Sequence, residues 1–380
     1  MATATDRIRK PVRSCCCFSS AQKQSLRRKL LTWYGKHARD LPWRRSHDPY
    51  RVWISEIMLQ QTQVATVRDY FSRFIRALPN VRRLAAADEQ QVFRLWEGLG
   101  YYRRARQLHS AAQRIVAECG GRFPKTVEEL RELPGIGRYT AGAIASIAFD
   151  QRAPILEANT IRLFSRLIAY RDDPLSTAGQ RVLWQFAEDI LPQKSVAQFN
   201  QALMELGSLV CMPSEPKCGE CPLSSVCAAN AAGMQQEIPR PKPGKIYTDV
   251  REAAVVIRRN GRVLMRQCAT NERWAGLWDF PRFATEADGP LFAGEEIARN
   301  VRKQTGVQCT IGPLLKSFRH GVTRYRITLD CYRADYASGR LRSSADLQAR
   351  WLPKKQLVEL PLSATGRLIA KLVSAISASE

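Results

Sequence analysis

Four cysteines, Cys211, Cys218, Cys221 and Cys227, stand with six, two and five residues between them. Thiols this close can wrap one compact metal centre, and four of them suit a [4Fe–4S] cluster. A zinc ribbon presents two separated Cys-x-x-Cys pairs, whereas only Cys218 and Cys221 form such a pair here. Pro213, Pro216 and Pro222 stiffen the run. A zinc ion, or free thiols, are the alternatives that the residues leave open.

A second candidate chemistry lies in Arg51-Val-Trp-Ile-Ser-Glu56-Ile-Met-Leu-Gln-Gln-Thr-Gln-Val64. Helical spacing puts Val52 and Leu59 on the stripe of Glu56. A carboxyl in apolar company holds its proton to higher pH, as a general acid needs. A pair with Arg51 or Arg94 is the structural alternative. Further on, Leu133-Pro-Gly-Ile-Gly-Arg-Tyr-Thr-Ala141 joins two helical stretches. Gly135 and Gly137 allow close backbone approach, and a helix starting near Arg138 would turn free N–H groups toward a phosphate. A plain Pro-Gly connection is the alternative there.

The full Leu-Pro-Gly-x-Gly-x-x-Thr-Ala pattern resembles the helix-hairpin-helix DNA-binding motif, and the cysteine spacing resembles that of the endonuclease III superfamily. The string around Glu56, with Leu41-Pro-Trp-Arg44 before it and Trp96-Glu-Gly-Leu-Gly-Tyr-Tyr-Arg103 after it, resembles the MutY-type adenine DNA glycosylases. The likeness runs from about Ala21 to Cys227. It implies that Glu56 protonates adenine on its five-membered ring. It places Gln61, Thr62, Leu99 and Tyr101 on residues that wedge into the duplex and support the everted nucleotide. Arg39, Leu41, Trp43, Arg44 and Gln201 fall on the adenine pocket. A base inside a stack is unreachable, so eversion is required. Bifunctional relatives carry a lysine where this chain has Tyr139, so the implied enzyme uses water and is monofunctional.

The family's Asp-Gly-Asn string reads Glu157-Ala158-Asn159 here. Glu157 keeps the anion that steadies an oxocarbenium-like sugar, on a longer arm. Asn159 is expected to cap a helix beginning at Thr160. The cluster has no redox task in such a hydrolysis, and is expected to hold a loop with Lys217 against DNA.

Toward the C-terminus, Arg262-Val-Leu-Met-Arg266 and Trp274-Ala-Gly-Leu-Trp-Asp-Phe-Pro281 resemble the Nudix fold. Where a working Nudix box has metal-binding glutamates, Arg299-Asn-Val-Arg-Lys-Gln-Thr-Gly306 presents Asn300, Lys303 and Gln304. The resemblance implies a domain kept to read 8-oxoguanine opposite adenine. The family's Phe-Ser-His reading loop maps onto Thr323 for the serine and Arg324 for the histidine.

The elements that must position these groups fall into an all-α part and an α+β part. Residues 21–232 read as helices joined by Pro and Gly turns, with Leu84–Leu99 and Ala105–Cys119 at helical spacing. Residues 1–20 read as a flexible basic tail, and 233–248, rich in Pro, Gly and Lys, as an extended linker. Residues 249–380 begin with a strand at Val250–Ile257, an Asn260-Gly261 turn and a second strand, and a further strand is expected at Tyr325–Tyr332.

Lys and Arg total 59 against 35 Asp and Glu among 380 residues, a formal charge of +24 that favours a polyanionic partner. Eleven cysteines in so long a chain, seven without a pairing pattern, point to a reducing compartment rather than a disulfide scaffold. No apolar run approaches a membrane span. The expectation is a monomer that excises adenine mispaired with 8-oxoguanine or guanine in double-stranded DNA, cytoplasmic and associated with the nucleoid, or in a nucleus or organelle if the source is eukaryotic. A glycosylase for thymine or an oxidised pyrimidine, and a non-catalytic iron–sulfur protein that binds lesions, are the rival readings. The lost carboxylates argue against a nucleotide hydrolase.

Overall fold

The computed structural model describes residues 18–240, 244, 246–285, 290–342 and 348–376. Most of the expected N-terminal tail, including Cys15, Cys16 and Cys17, lies outside them, as do linker residues 241–243 and 245. Among the described residues no helix is long and apolar enough to cross a membrane.

The helical part runs α1 (Ser20–His37), α2 (Pro49–Leu59), α3 (Val64–Ala77), α4 (Val81–Ala86), α5 (Glu89–Trp96), α6 (Arg103–Cys119), α7 (Val127–Arg131), α8 (Arg138–Phe149), α9 (Ala158–Leu167), α10 (Thr177–Ile190), α11 (Val196–Leu209) and α12 (Ala228–Ala231). Side-chain caps delimit many of them. Asp88 accepts from the Gln90 amide and starts α5, so the periodic stretch Leu84–Leu99 is two helices rather than one. Leu26, Leu30, Phe164, Phe199 and Leu206 are among the residues of one buried cluster that joins α1, α9 and α11.

The C-terminal part contributes β1 (Thr248–Arg259), β2 (Arg262–Gln267), β3 (Trp278–Asp279), β4 (Arg282–Ala284), α13 (Pro290–Thr305), β5 (Val307–Val322), β6 (Tyr325–Gly339), β7 (Ala349–Pro353) and α14 (Ala364–Ile376). The sheet order is β3-β2-β1-β6-β5, with β4 on β1 and β7 on β2. Strands β1 and β6 run parallel, and the other pairings are antiparallel. Asn260 and Gly261 turn from β1 into β2 with φ of 48° and 72°, the left-handed pair that an Asn-Gly hairpin needs. The expected strand at Tyr325–Tyr332 is present and continues to Gly339. The sheet buries one cluster on each side, around Phe280, Leu329 and Ile369 on one and Ile257, Ile297 and Val301 on the other.

Compactness groups the residues differently from their order along the chain. The chain divides into two compact units, Met1–Phe71 with Ala117–Lys242 and Ser72–Val116 with Pro243–Glu380. Helices α4 and α5 and most of α6 therefore group with the C-terminal sheet. Polar contacts account for this. Arg106 donates to the Ala275 carbonyl at 2.6 Å and Gln90 to that of Gly276 at 3.1 Å. Arg367 grips Glu97 through Nε and Nη2 at 2.6 and 2.9 Å. The expected linker also begins late: Ile238 is buried, and its carbonyl accepts from Arg166 Nε at 2.8 Å.

Candidate active site

Helix α2 is apolar nearly all round, and eight of its residues from Tyr50 to Met58 are buried. Asp48 caps its start by accepting from the Tyr50 amide. The helix packs on α8, whose first turn carries Tyr139. The two helices thus bring Glu56 and Tyr139 together, with the tyrosine hydroxyl donating to Glu56 Oε2 at 2.5 Å. The arginines of the structural alternative have acidic neighbours of their own: Arg51 stands by Asp48 and Arg94 by Glu97. Glu56 is only 5% exposed. Burial pushes its carboxyl up from 4.5 to about 7, the Tyr139 hydroxyl and Arg44 pull it back, and Glu157 pushes it further up.

Glu157 reaches the site because two glycines let its segment in close. A Cβ on Gly142 would lie 2.4 Å from the Pro154 carbonyl, and one on Gly207 would lie 2.7 Å from Asn159 Cβ. Glu157, not Asn159, caps α9, which begins at Ala158 rather than Thr160. Its carboxylate accepts from the Asn159 and Thr160 amides at 2.9 Å each. Asn159 instead orients it, donating to Glu157 Oε2 at 3.2 Å while accepting from Arg162 at 2.9 Å. Burial raises the Glu157 carboxyl, and the hydrogen bonds from Asn159 and Thr160 with the Arg162 charge oppose that rise.

Glu56, Tyr139, Glu157 and Asn159 line one cavity of about 600 Å³. Arg39, Leu41, Trp43, Arg44 and Gln201 line the same cavity, and so do Gln61 and Thr62. Gln61 follows the end of α2 with a left-handed φ of 58°. Trp43 packs edge-on against Phe71 at 5.5 Å, and Gln201 accepts from the Tyr34 hydroxyl at 2.7 Å. Sequence reasoning missed Glu205, which is fully buried and bonds both Arg39 and Arg44. A lone acid in the apolar run Ala-Leu-Met-Glu205-Leu was the available signal.

The loop between α5 and α6 carries Leu99 and Tyr101. Gly98, Gly100 and Tyr101 take positive φ, and Trp96 Nε1 donates to the Gly100 carbonyl at 3.1 Å. Tyr101 is 50% exposed, under the Arg104 guanidinium at 5.5 Å. Leu99, expected to meet the duplex, is 6% exposed. At the helix-hairpin-helix turn Gly135 has φ 77°, the left-handed conformation its position needs, and Gly137 is the N-cap of α8. A Cβ on Gly137 would meet nothing within 4 Å, so no internal contact demands a glycine there. Thr323, with φ 53°, and Arg324 form the exposed tip of the β5–β6 hairpin. Thr323 donates to its neighbour's carbonyl at 2.7 Å, and Arg324 to the Tyr325 hydroxyl at 3.0 Å.

Cys211, Cys218, Cys221 and Cys227 are free thiols that line one small cavity. Burial, then the neighbouring cysteines, push the Cys221 thiol up to about 12, an environment that a bound cation would reverse. Arg166, also missed, holds this loop through Cys211 Sγ at 3.2 Å and the Met212 carbonyl at 2.7 Å. Among the described residues no group of three or more His, Cys, Asp or Glu is placed to hold a metal ion. Four thiols around one cavity offer the one thiolate per iron that a four-iron cluster takes.

Residues 54–188 match the family described as HhH-GPD superfamily base excision DNA repair protein, and residues 253–372 match the NUDIX domain. The adenine DNA glycosylase of Buchnera aphidicola from Schizaphis graminum is 37% identical over 258 residues, 68% of this chain and 74% of that one. The chain belongs to the adenine DNA glycosylase family. The Rattus norvegicus member is 41% identical over 291 residues, 73% of this chain and 55% of that one. The Homo sapiens member is 44% identical over 227 residues, 57% of this chain and 42% of that one. The chain thus spans about half the length of these mammalian family members. Among solved structures, a thermostable thymine-DNA glycosylase superposes with TM-score 0.52 at 27% identity, covering 56% of this chain and 98% of that one. A trapped endonuclease III–DNA covalent intermediate superposes with TM-score 0.50 at 20% identity, covering 57% and 100%, and shares the family's helical fold.

Proposed function

We propose that the protein is a monofunctional glycosylase that releases adenine mispaired with 8-oxoguanine or guanine in duplex DNA. The observation that carries this is Glu56: a buried carboxyl raised to about 7, inside a cavity it shares with a second buried carboxyl and the base-pocket residues. Near neutrality Glu56 holds a proton to give. It passes that proton to a ring nitrogen of the everted adenine, which then leaves with the electron pair of the glycosidic bond. Glu157 lies across from it as the anion that steadies the cationic sugar. Water adds to the anomeric carbon and surrenders its proton to a carboxylate, leaving an abasic site. Tyr139 cannot supply the amine that a Schiff-base route requires.

Gln61, Thr62 and Tyr101 are assigned to the opened duplex. Gly135 and Gly137 are assigned to a phosphate, since the open space at Gly137 leaves room for a backbone to approach the α8 N-terminus. The hairpin tip at Thr323 and Arg324 is assigned to the base opposite adenine. Cys211, Cys218, Cys221 and Cys227 would hold a [4Fe–4S] cluster, whose ligation ties the loop carrying Lys217. The protein acts as a monomer, wherever its DNA resides.

The test is incubation with duplexes carrying adenine opposite 8-oxoguanine, opposite guanine and opposite thymine, followed by alkali. Breaks at adenine in the first two, only after alkali, are expected, from a preparation carrying about four irons per chain. Breaks before alkali would show a lyase, and breaks at thymine mispairs alone would replace adenine as the substrate.

A further inference from the structure

Two arginines border the base pocket, and one anion answers them. Arg39 follows α1, Arg44 ends the turn Pro42–Arg44, and both reach Glu205 on α11. Arg39 donates to Glu205 through its backbone N at 2.9 Å, Nε at 2.8 Å and Nη2 at 2.7 Å. Arg44 Nη2 adds a fourth bond at 2.8 Å. The Glu205 side chain is 0% exposed, those of Arg44 and Arg39 14% and 31%. Burial alone would push the Glu205 carboxyl up, but the two guanidinium groups overcome it and hold the group at about 2. Glu205 is therefore a fixed negative charge, and such a buried carboxylate is tolerable only because it is fully bonded.

Glu56 lines the same cavity. The ionisable groups that line this cavity with it are Tyr139 from α8, Glu157 from the start of α9, Arg44 and Arg39 from the segment after α1, and Glu205 from α11. A guanidinium beside a carboxyl favours its ionised form, and Arg44 acts on Glu56 in that direction. With Glu205 present, the two arginines and the carboxylate sum to a single positive charge. Without it they sum to two.

We propose that Glu205 is a positioning residue of the base pocket: its buried carboxylate aims Arg39 and Arg44 and cancels one of their charges, so that Glu56 keeps its proton until the base arrives. This rests on Glu56 being the general acid. The role is separate from adenine contact, and it predicts a pH signature that a packing role would not produce.

The experiment is single-turnover adenine release by the full chain on an adenine:8-oxoguanine duplex, from about pH 5 to about pH 9. The parent rate is expected to fall as pH rises through about 7. Glu205→Gln keeps the shape and loses the charge. Its falling limb moves down by about one pH unit, so release above neutrality slows about tenfold while the low-pH plateau changes less. Glu205→Asp keeps the charge and leaves the limb in place. Arg44→Gln removes one positive charge and moves the limb upward, a measurement that stands even if Glu205→Gln fails to fold. A limb that stays at the parent position in Glu205→Gln or in Arg44→Gln overturns the proposal while leaving Glu56 as the acid. A parent profile with no falling limb overturns both, and shows itself in the unsubstituted protein.

Discussion

Glu56 owes its proton to burial, and that has a consequence for stability. The folded chain binds a proton on this carboxyl between about 4.5 and about 7 that the unfolded chain has released. The stability so contributed is complete below about 4.5 and is lost as pH rises through about 7. Glu56→Gln never ionises. It is expected to slow base release by at least about a hundredfold. It is also expected to gain up to about 3 kcal/mol of stability near pH 8 and almost none near pH 4. Urea titrations at the two pH values measure this, and an equal difference at both would contradict the assigned protonation. A buried proton donor of this kind is thus held at some expense to the fold.

At the scale of the element, the proposed role of Glu157 would link catalysis to the capping of α9. Glu157 satisfies two of the free amides at the α9 N-terminus with the same oxygens that face the cavity. Glu157→Ala is expected to lower stability by about 1 kcal/mol and to slow base release together. Glu157→Asp is expected to retain both, because aspartate caps helices well and keeps the charge. Thermal unfolding and the release rate, measured on both variants, check it. Full activity in Glu157→Ala would reduce this carboxylate to a cap. The same capping chemistry explains why one periodic stretch became α4 and α5: Asp88 interrupts it, and periodicity alone does not see a cap.

For the whole molecule the excess of cations would govern the proposed encounter with DNA. A net charge of +24 predicts an affinity for duplex that falls steeply with salt. Between about 50 and about 200 mM salt, binding of an adenine:8-oxoguanine duplex should weaken by at least about a hundredfold, read as the slope of log affinity against log salt. A flat dependence would mean that few phosphates are touched. At the same scale, contacts far apart in sequence define the compact units. Helices α4, α5 and most of α6 belong with the sheet, through pairs such as Glu97 with Arg367, 270 residues apart in sequence.

The sequence by itself determined the types of group and the strings that carry them. The Glu56 helix, the Pro-Gly turn, the four cysteines and the Asn260-Gly261 hairpin are local patterns, and local patterns survive without a fold. It also places Tyr139 where, by the resemblance, bifunctional relatives carry a lysine. Only the tertiary structure decided which groups meet. Glu205 reaches Arg39 across 166 positions, Tyr139 reaches Glu56 across 83, and Leu99 is buried. Those pairings depend on how close two helices can pack, as at Gly142 and Gly207, and on which charges can share one buried space. Neither is a property of any short stretch of chain.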